Sequence, residues 1–387
     1  MKLTTTASLV FLLLPLLAMT DARALDDLKI GDASVALYGR ASAGIDYTNH
    51  QFGAGLQGDR WQTASNQWGV SYWGLKGRFP VEPGVLAIVN LESGFGTDTG
   101  AVGDTGRLFN RAANVGLRHE TYGTLSIGTH LWIAQDIIDV DPMHFQSIGI
   151  NTLVNGANDG TAERSVLLRS PQFHGVELAY MHAFGAMAGD NQRSSSDGVS
   201  LSYRDPDLTL RAIYGQRADA FGRYSGGDTF GLGSRDPWKY VKSFVGGGSW
   251  RLGATQLFAG YQLVKAPESG YGVRANYDER ARMAWLGVNH QLSQKTTLLG
   301  SVYQLQQRYS GKKSNLFALG INHEWNQYLT VYVTAGHIAN NAVSPFMVEN
   351  TGANSHALSY QDTACGASLD CNGARQSGGY AGFVVKF

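Results

Sequence analysis

The chain has 387 residues, with 31 Lys and Arg against 31 Asp and Glu, and it carries 49 glycines, 18 tyrosines and 8 tryptophans beside only 9 prolines. An even charge balance without a basic run excludes a nucleic-acid-binding footprint. Past residue 24 no apolar run approaches the roughly 20 residues of a membrane helix, which excludes helical spans.

From its start, the chain combines Lys2, the apolar run SLVFLLLPLLAM and the small-x-small site Ala22-Arg23-Ala24. This pattern predicts a secretory signal peptide over residues 1–24, whose apolar run is too short to cross a bilayer as a helix. Residues 25–387 then form one exported domain, since no linker or composition break divides them.

Period two dominates the remainder. In SVALYGRASAGIDY, Val35, Leu37, Ala41, Ala43 and Ile45 oppose Tyr38, Arg40, Ser42 and Asp46; in GVLAIVNLESGF, Ala87, Val89 and Leu91 oppose Asn90 and Glu92. Such alternation marks strands with one apolar and one polar face. Sixteen segments of this kind start near residues 34, 66, 84, 108, 123, 164, 175, 197, 208, 239, 255, 278, 295, 315, 329 and 378. Their connections alternate between short (FPVEP, HETY, SPQFHG, DPD, LGA, LSQ, WNQY) and long, and the prolines beyond residue 24 all fall in these connections. An even number of antiparallel strands, tight turns at one rim and long loops at the other predict an all-β, 16-stranded transmembrane barrel. Only a closed sheet satisfies its backbone in lipid. Aromatic residues near strand ends, among them Tyr47, Trp73, Trp132, Tyr180 and Phe383, fit interfacial girdles. A secreted sandwich or propeller is the soluble alternative, but the face opposite the apolar one carries Arg40, Asn90, Glu92, Arg118, Arg211 and Asn322.

Residues 134–163, AQDIIDVDPMHFQSIGINTLVNGANDGTAE, break the rhythm: they keep no lasting period and contain Asp136, Asp139, Asp141, Asp159 and Glu163. A loop of this length in a compact protein is either a misassigned element or a functional device, and the expectation is that it folds into the barrel and narrows a pore. The acids could offer oxygen ligands to calcium, but their spacing lacks the glycine and closing glutamate of a regular calcium loop. Cys365 and Cys371 lie in a long final loop, 340–377, and an exported chain meets an oxidising compartment, which predicts a local disulfide. Neither HExxH nor GxSxG accompanies the scattered histidines.

SVALYGRASAGIDY, SYWGLKGRF, LESGF, GDTGRLFNRAANVGL, GTLSIGTHLW, RSVLLRSPQFHGVELAY and the terminal YAGFVVKF resemble, in order and across nearly the whole exported chain, the general porins of Gram-negative outer membranes. The resemblance implies a trimeric sixteen-stranded barrel with its third long loop in the lumen. It also implies that Phe387 is read by the barrel-assembly machinery. The implied setting is the outer membrane, with lipid and lipopolysaccharide as neighbours. The implied function is passive diffusion of small hydrophilic solutes, without cofactor or catalysis. A substrate-specific porin is the nearest alternative and an outer-membrane barrel enzyme the alternative of another class. Leu167 departs from the family by standing where many relatives place a basic lumen residue, and Tyr72-Trp73 replace a basic-aromatic pair.

Strand parity turns Arg40, Lys76, Glu92, Arg118, Arg169 and Arg211 inward, because each opposes apolar neighbours such as Leu37, Leu75, Leu117, Leu168 and Leu210. In the porins this chain resembles, the first strands face the inserted loop. Asp136, Asp139 and Asp141 are therefore expected across a narrow gap from Arg40 and Lys76, with a transverse field between them.

Overall fold

The computed structural model describes residues 28–53, 56–104, 106–154, 158, 160–185, 188–189, 195–218, 240–266, 280–308, 310–344, 373 and 375–387. Residues 1–24, Asp159, Cys365, Cys371 and most of the 340–377 loop lie outside them. In the first half of the chain the strands are β1 (Leu28–Ile30), β2 (Ala33–Gly53), β3 (Leu56–Ser65), β4 (Ser71–Glu82), β5 (Val85–Phe95), β6 (Ala112–His119), β7 (Gly123–Leu131), β8 (Thr161–Arg169) and β9 (Val176–Ala183). They are followed by β10 (Ser196–Arg204), β11 (Leu208–Ala218), β12 (Tyr240–Leu252), β13 (Thr255–Lys265), β14 (Arg280–Ser293), β15 (Thr296–Gln307), β16 (Lys313–Glu324), β17 (Leu329–Asn340) and β18 (Arg375–Lys386).

All pairings are antiparallel and, apart from β2 with β4, run between chain neighbours until β18 returns to β2 from Gly378↔Thr48 to Lys386↔Arg40, which closes the sheet. These eighteen strands make sixteen wall spans. β1 only folds back on the first residues of β2, with Leu28↔Val35. β3 and β4 are one span interrupted over 66–70, because β2 pairs with β4 through residues 34–40 and with β3 from Ala43 upward. The expected second strand at residue 66 thus falls on this break, and the span begins at Leu56, paired to a β2 that runs on to Gly53.

Two further expectations are corrected. Pro80 sits inside β4, opposite Leu86 and beside a register shift, where a missing backbone donor is tolerated. The turn itself is only Pro83-Gly84, with Gly84 at φ 79°. Trp132 is no girdle residue, being 2% exposed inside the barrel.

Alternation sends Leu117 (52% exposed), Ile127 (57%), Leu286 (62%) and Leu319 (69%) outward. The same outer surface carries Leu168, Leu201, Leu210, Phe317, Val331, Val333 and Phe383. In water so broad an apolar belt would drive aggregation; in lipid it is the solvated face. The opposite face carries Asn114, Ser126, Arg211 and Asn322. Among the described residues the most deeply buried apolar side chains are not between two sheets but inside the barrel, under the segment that links β7 to β8.

Candidate functional site

The link between β7 and β8 closes at its neck, where Trp132 N–H and the Gln135 side chain both donate to the Gly160 carbonyl, each at 2.9 Å. From there Ile133–Val140 form a 3₁₀ helix. Its apolar residues Ile133, Ala134, Ile137 and Val140 recur at helical spacing and are buried against β10–β12. The lumen is wet, so seating this face on the wall is driven by the hydrophobic effect, at about 1.5–3 kcal/mol for each large side chain.

The wall makes room by lacking side chains. A Cβ on Gly215 would stand 2.8 Å from the Trp132 ring, one on Gly336 2.5 Å from Ile148, and those on Gly198 and Gly287 would collide with Ile133 and Pro142. Loop residues 132–148 therefore follow the inner wall from β10 round to β17.

Polar side chains hold the loop along the way. Trp285 donates to the Val140 carbonyl (2.9 Å), Asn289 to His144 Nε2 (2.9 Å), and the Gln146 amide donates to Asn322 (3.2 Å). Tyr380 donates to Gln146 (3.1 Å). At the far side Gln146 forms a bridge with Trp68, Ser147 N–H donates to the Gln67 carbonyl (2.7 Å), and Trp68 Nε1 donates to the His144 carbonyl (3.1 Å). The break between β3 and β4 is thus the socket that receives the loop tip.

The three loop acids have different fates. Asp136 accepts from Arg169 (3.3 Å), Arg211 (3.2 Å) and Ser200 (2.8 Å). Asp139 pairs with Arg204 (2.7 Å) and with Arg211, whose side chain is 5% exposed. Asp141 does not face the lumen. It is 0% exposed and accepts from Tyr303 Oη (2.6 Å), Phe145 N–H (2.7 Å) and Met143 N–H (3.2 Å). Burial pushes its carboxyl above the usual range, and burial also lowers the His144 imidazole against the smaller opposing pull of Asp141.

Arg40 is likewise not across from the acids. Its guanidinium donates to the Trp68 carbonyl and lies 6.0 Å from the Trp68 ring centroid, so it braces the socket. The expected facing set of Arg40 and Lys76 against three aspartates is replaced by ion pairs from β8, β10 and β11.

Between the loop and the wall of β4–β9 a cavity of about 560 Å³ remains open. Lys76, Glu92, Arg118, Asp136 and Arg169 all line it. Glu92 is tied to Arg111 (3.2 Å) and accepts from Tyr38 (2.6 Å), and Lys76 lies 3.8 Å from the centroid of the Tyr38 ring. Arg169 also pairs with Glu177 at 2.5 Å. Among the described residues no carboxylate pairs with Lys76 or Arg118. Ser126 and Ser165 bracket His130, each at 2.8 Å.

Residues 5–343 match the family described as Gram-negative porin. The chain belongs to the Gram-negative porin family. This porin is 24% identical over 357 residues to an outer membrane porin protein of Bordetella pertussis, covering 80% of this chain and 90% of that one. Its fold is similar to an anion-selective porin from Comamonas acidovorans, with a TM-score of 0.70, 17% identity, and 92% of this chain and 100% of that one covered. It is also similar to the trimer form of OmpT of Vibrio cholerae, with a TM-score of 0.63, 13% identity, and 92% and 99% covered. The barrel is an outer-membrane porin channel.

Several residues that build this porin's lumen escaped the sequence reading. Arg204, Arg111 and Glu177 pair with residues that were singled out, but they become visible only through cross-strand register. The helix of the third loop was not legible in a segment that keeps no lasting period, since the apolar spacing at 133, 134, 137 and 140 stops within eight residues. The glycine-lined wall was not legible either, because strand glycines carry no sign of what fills their space.

Proposed function

We propose that this porin passes small hydrophilic solutes by diffusion, with a preference for anions, through the off-centre passage between the third loop and β4–β9. The charge balance of the lumen carries the reading. Arg169, Arg204 and Arg211 are matched by Asp136, Asp139 and Glu177, and Arg111 by Glu92, whereas Lys76 and Arg118 have no acidic partner among the described residues. Fixed charges act over about 8–10 Å at physiological salt, so only those lining the passage sort ions strongly. The relative from Comamonas acidovorans is described as anion-selective, in keeping with this balance.

No chemical step belongs to the proposal, in keeping with the porin family; among the described residues His130 is held by Ser126 and Ser165. The proposal includes a homotrimer, as for the Vibrio cholerae relative described in trimer form. It also includes a cleaved leader over residues 1–24, a Cys365–Cys371 bond in the last long loop, and Phe387 as the contact for the assembly machinery. Zero-current potentials in a potassium chloride gradient test the selectivity. The wild type is expected to favour chloride, and Lys76→Gln and Arg118→Gln are each expected to shift the potential toward potassium. A cation-favouring wild type, or potentials that ignore both substitutions, overturns the proposal.

A further inference from the structure

The open cavity has two unlike sides. On the wall, Lys76 and Arg118 supply positive charge without acidic partners among the described residues. On the loop, Ile138 is 43% exposed and lines the same cavity, as does the half-buried Phe145, although the rest of the loop's apolar side chains are packed away against the wall. Half-buried Leu167 adds apolar surface from β8.

Covering the apolar surface that Ile138, Phe145 and Leu167 present to the cavity is favourable in water. Ion sorting alone gives Ile138 no role, since it bears no charge and its neighbours Asp136 and Asp139 are already neutralised by arginines. A solute that puts a carboxylate toward Lys76 or Arg118 and a hydrocarbon group toward Ile138 and Leu167 satisfies both sides at once. A small inorganic anion or a sugar satisfies at most one.

We infer that this lumen is a transient binding site for organic anions that carry an apolar group, such as aromatic or branched-chain carboxylates. The inference rests on the anion preference proposed above and names the solute class of that same passage. Its affinity must stay weak, because a solute that binds tightly cannot leave.

Full-length porin in planar bilayers tests it, with benzoate, acetate and benzyl alcohol added to potassium chloride. Benzoate should interrupt the current with an apparent affinity about tenfold or more tighter than acetate, since the ring adds apolar area at unchanged charge. Benzyl alcohol, which has the ring without the charge, should fall well below benzoate. The ratio of benzoate to acetate block, measured within each variant, should collapse toward one in Ile138→Ser and, independently of the loop, in Leu167→Ser. Arg118→Gln should weaken both anions alike and leave that ratio in place. Equal block by benzoate and acetate in wild type, or a ratio that survives both apolar substitutions, overturns the inference while the anion preference stands. A wild-type potential that favours potassium defeats the anion preference and this inference together.

Discussion

His144 and Phe145, neighbouring non-glycine residues of the third loop, hold φ of 53° and 62°. Each left-handed residue costs on the order of 1–3 kcal/mol, so the surroundings must impose the turn. Asp141 does so by collecting the N–H groups of Met143 and Phe145 on a carboxylate that Tyr303 also engages. The titrations of the two buried groups oppose each other. A raised carboxyl makes the charged Asp141 costly, so its contribution to stability improves as pH falls through its folded value. A lowered imidazole contributes stability that is present at high pH and lost as pH falls below about 6.5, since protonation removes the acceptor that Asn289 uses. Hydrogen exchange of the 141–147 amides between pH 7.5 and 4 separates them. Protection should increase on acidification in His144→Gln and decrease in Asp141→Asn; the same trend in both would refute the assignment. Asp141→Asn should also leave ion selectivity nearly unchanged, unlike Asp139→Asn, which frees Arg204, leaves Arg211 to Asp136 alone and should move the zero-current potential toward anions. Sequence spacing placed all three acids in one loop but could not distinguish them, because which carboxylate turns inward depends on Tyr303, far along the chain.

At the scale of elements, the third loop behaves as an inner lining rather than a free connection, and its fit depends on the bare wall beneath it. Gly287→Val drives a side chain into Pro142 and should cost about 1–3 kcal/mol of loop seating. The lifted loop then enters the passage, so conductance should fall in a barrel that still shows heat-modifiable migration. Deleting residues 148–156 removes Ile148, Ile150, Leu153 and Val154, all 0–1% exposed, and should raise conductance instead. A deletion that folds and conducts no more than wild type would show that the loop is not the constriction. Strand positions were readable from period two wherever one face meets lipid. The upper part of β2 and β3, TNHQFG and LQGDRWQTAS, shows almost no alternation of apolar and polar residues. Period two therefore cannot report that hairpin, and the break at 66–70 reads as a beginning.

For the whole molecule, closure of the sheet is finished by its last residue. Phe387 exchanges backbone hydrogen bonds with Gly39, N–H to carbonyl at 3.1 Å and 2.8 Å, and a Cβ on Gly39 would stand 2.7 Å from the Phe387 ring. Deleting Phe387 should lower the yield of folded barrel in the outer membrane while the surviving channels conduct as wild type, checked by heat-modifiable migration and single-channel recording. Normal assembly without Phe387 would count against its role. Barrel, strand order and lumen parity were legible because lipid imposes one rule on every span. The lumen's ion pairs were only partly legible, because they join residues whose proximity arises from register and from the loop's path.

That path sets an order in time. The loop leaves the chain between β7 and β8, yet its tip is held by Thr334 and Tyr380 through contacts such as Ile148 N–H to Tyr380, 232 residues away. These contacts cannot form until β17 and β18 have joined β2. Contacts this remote form late, after the long intervening chain has been placed. A newly closed barrel therefore passes through a stage in which the wall is complete and the lining is not. Such a channel is wider and leakier than the mature one, and it tightens only as the tip finds the gap between β3 and β4.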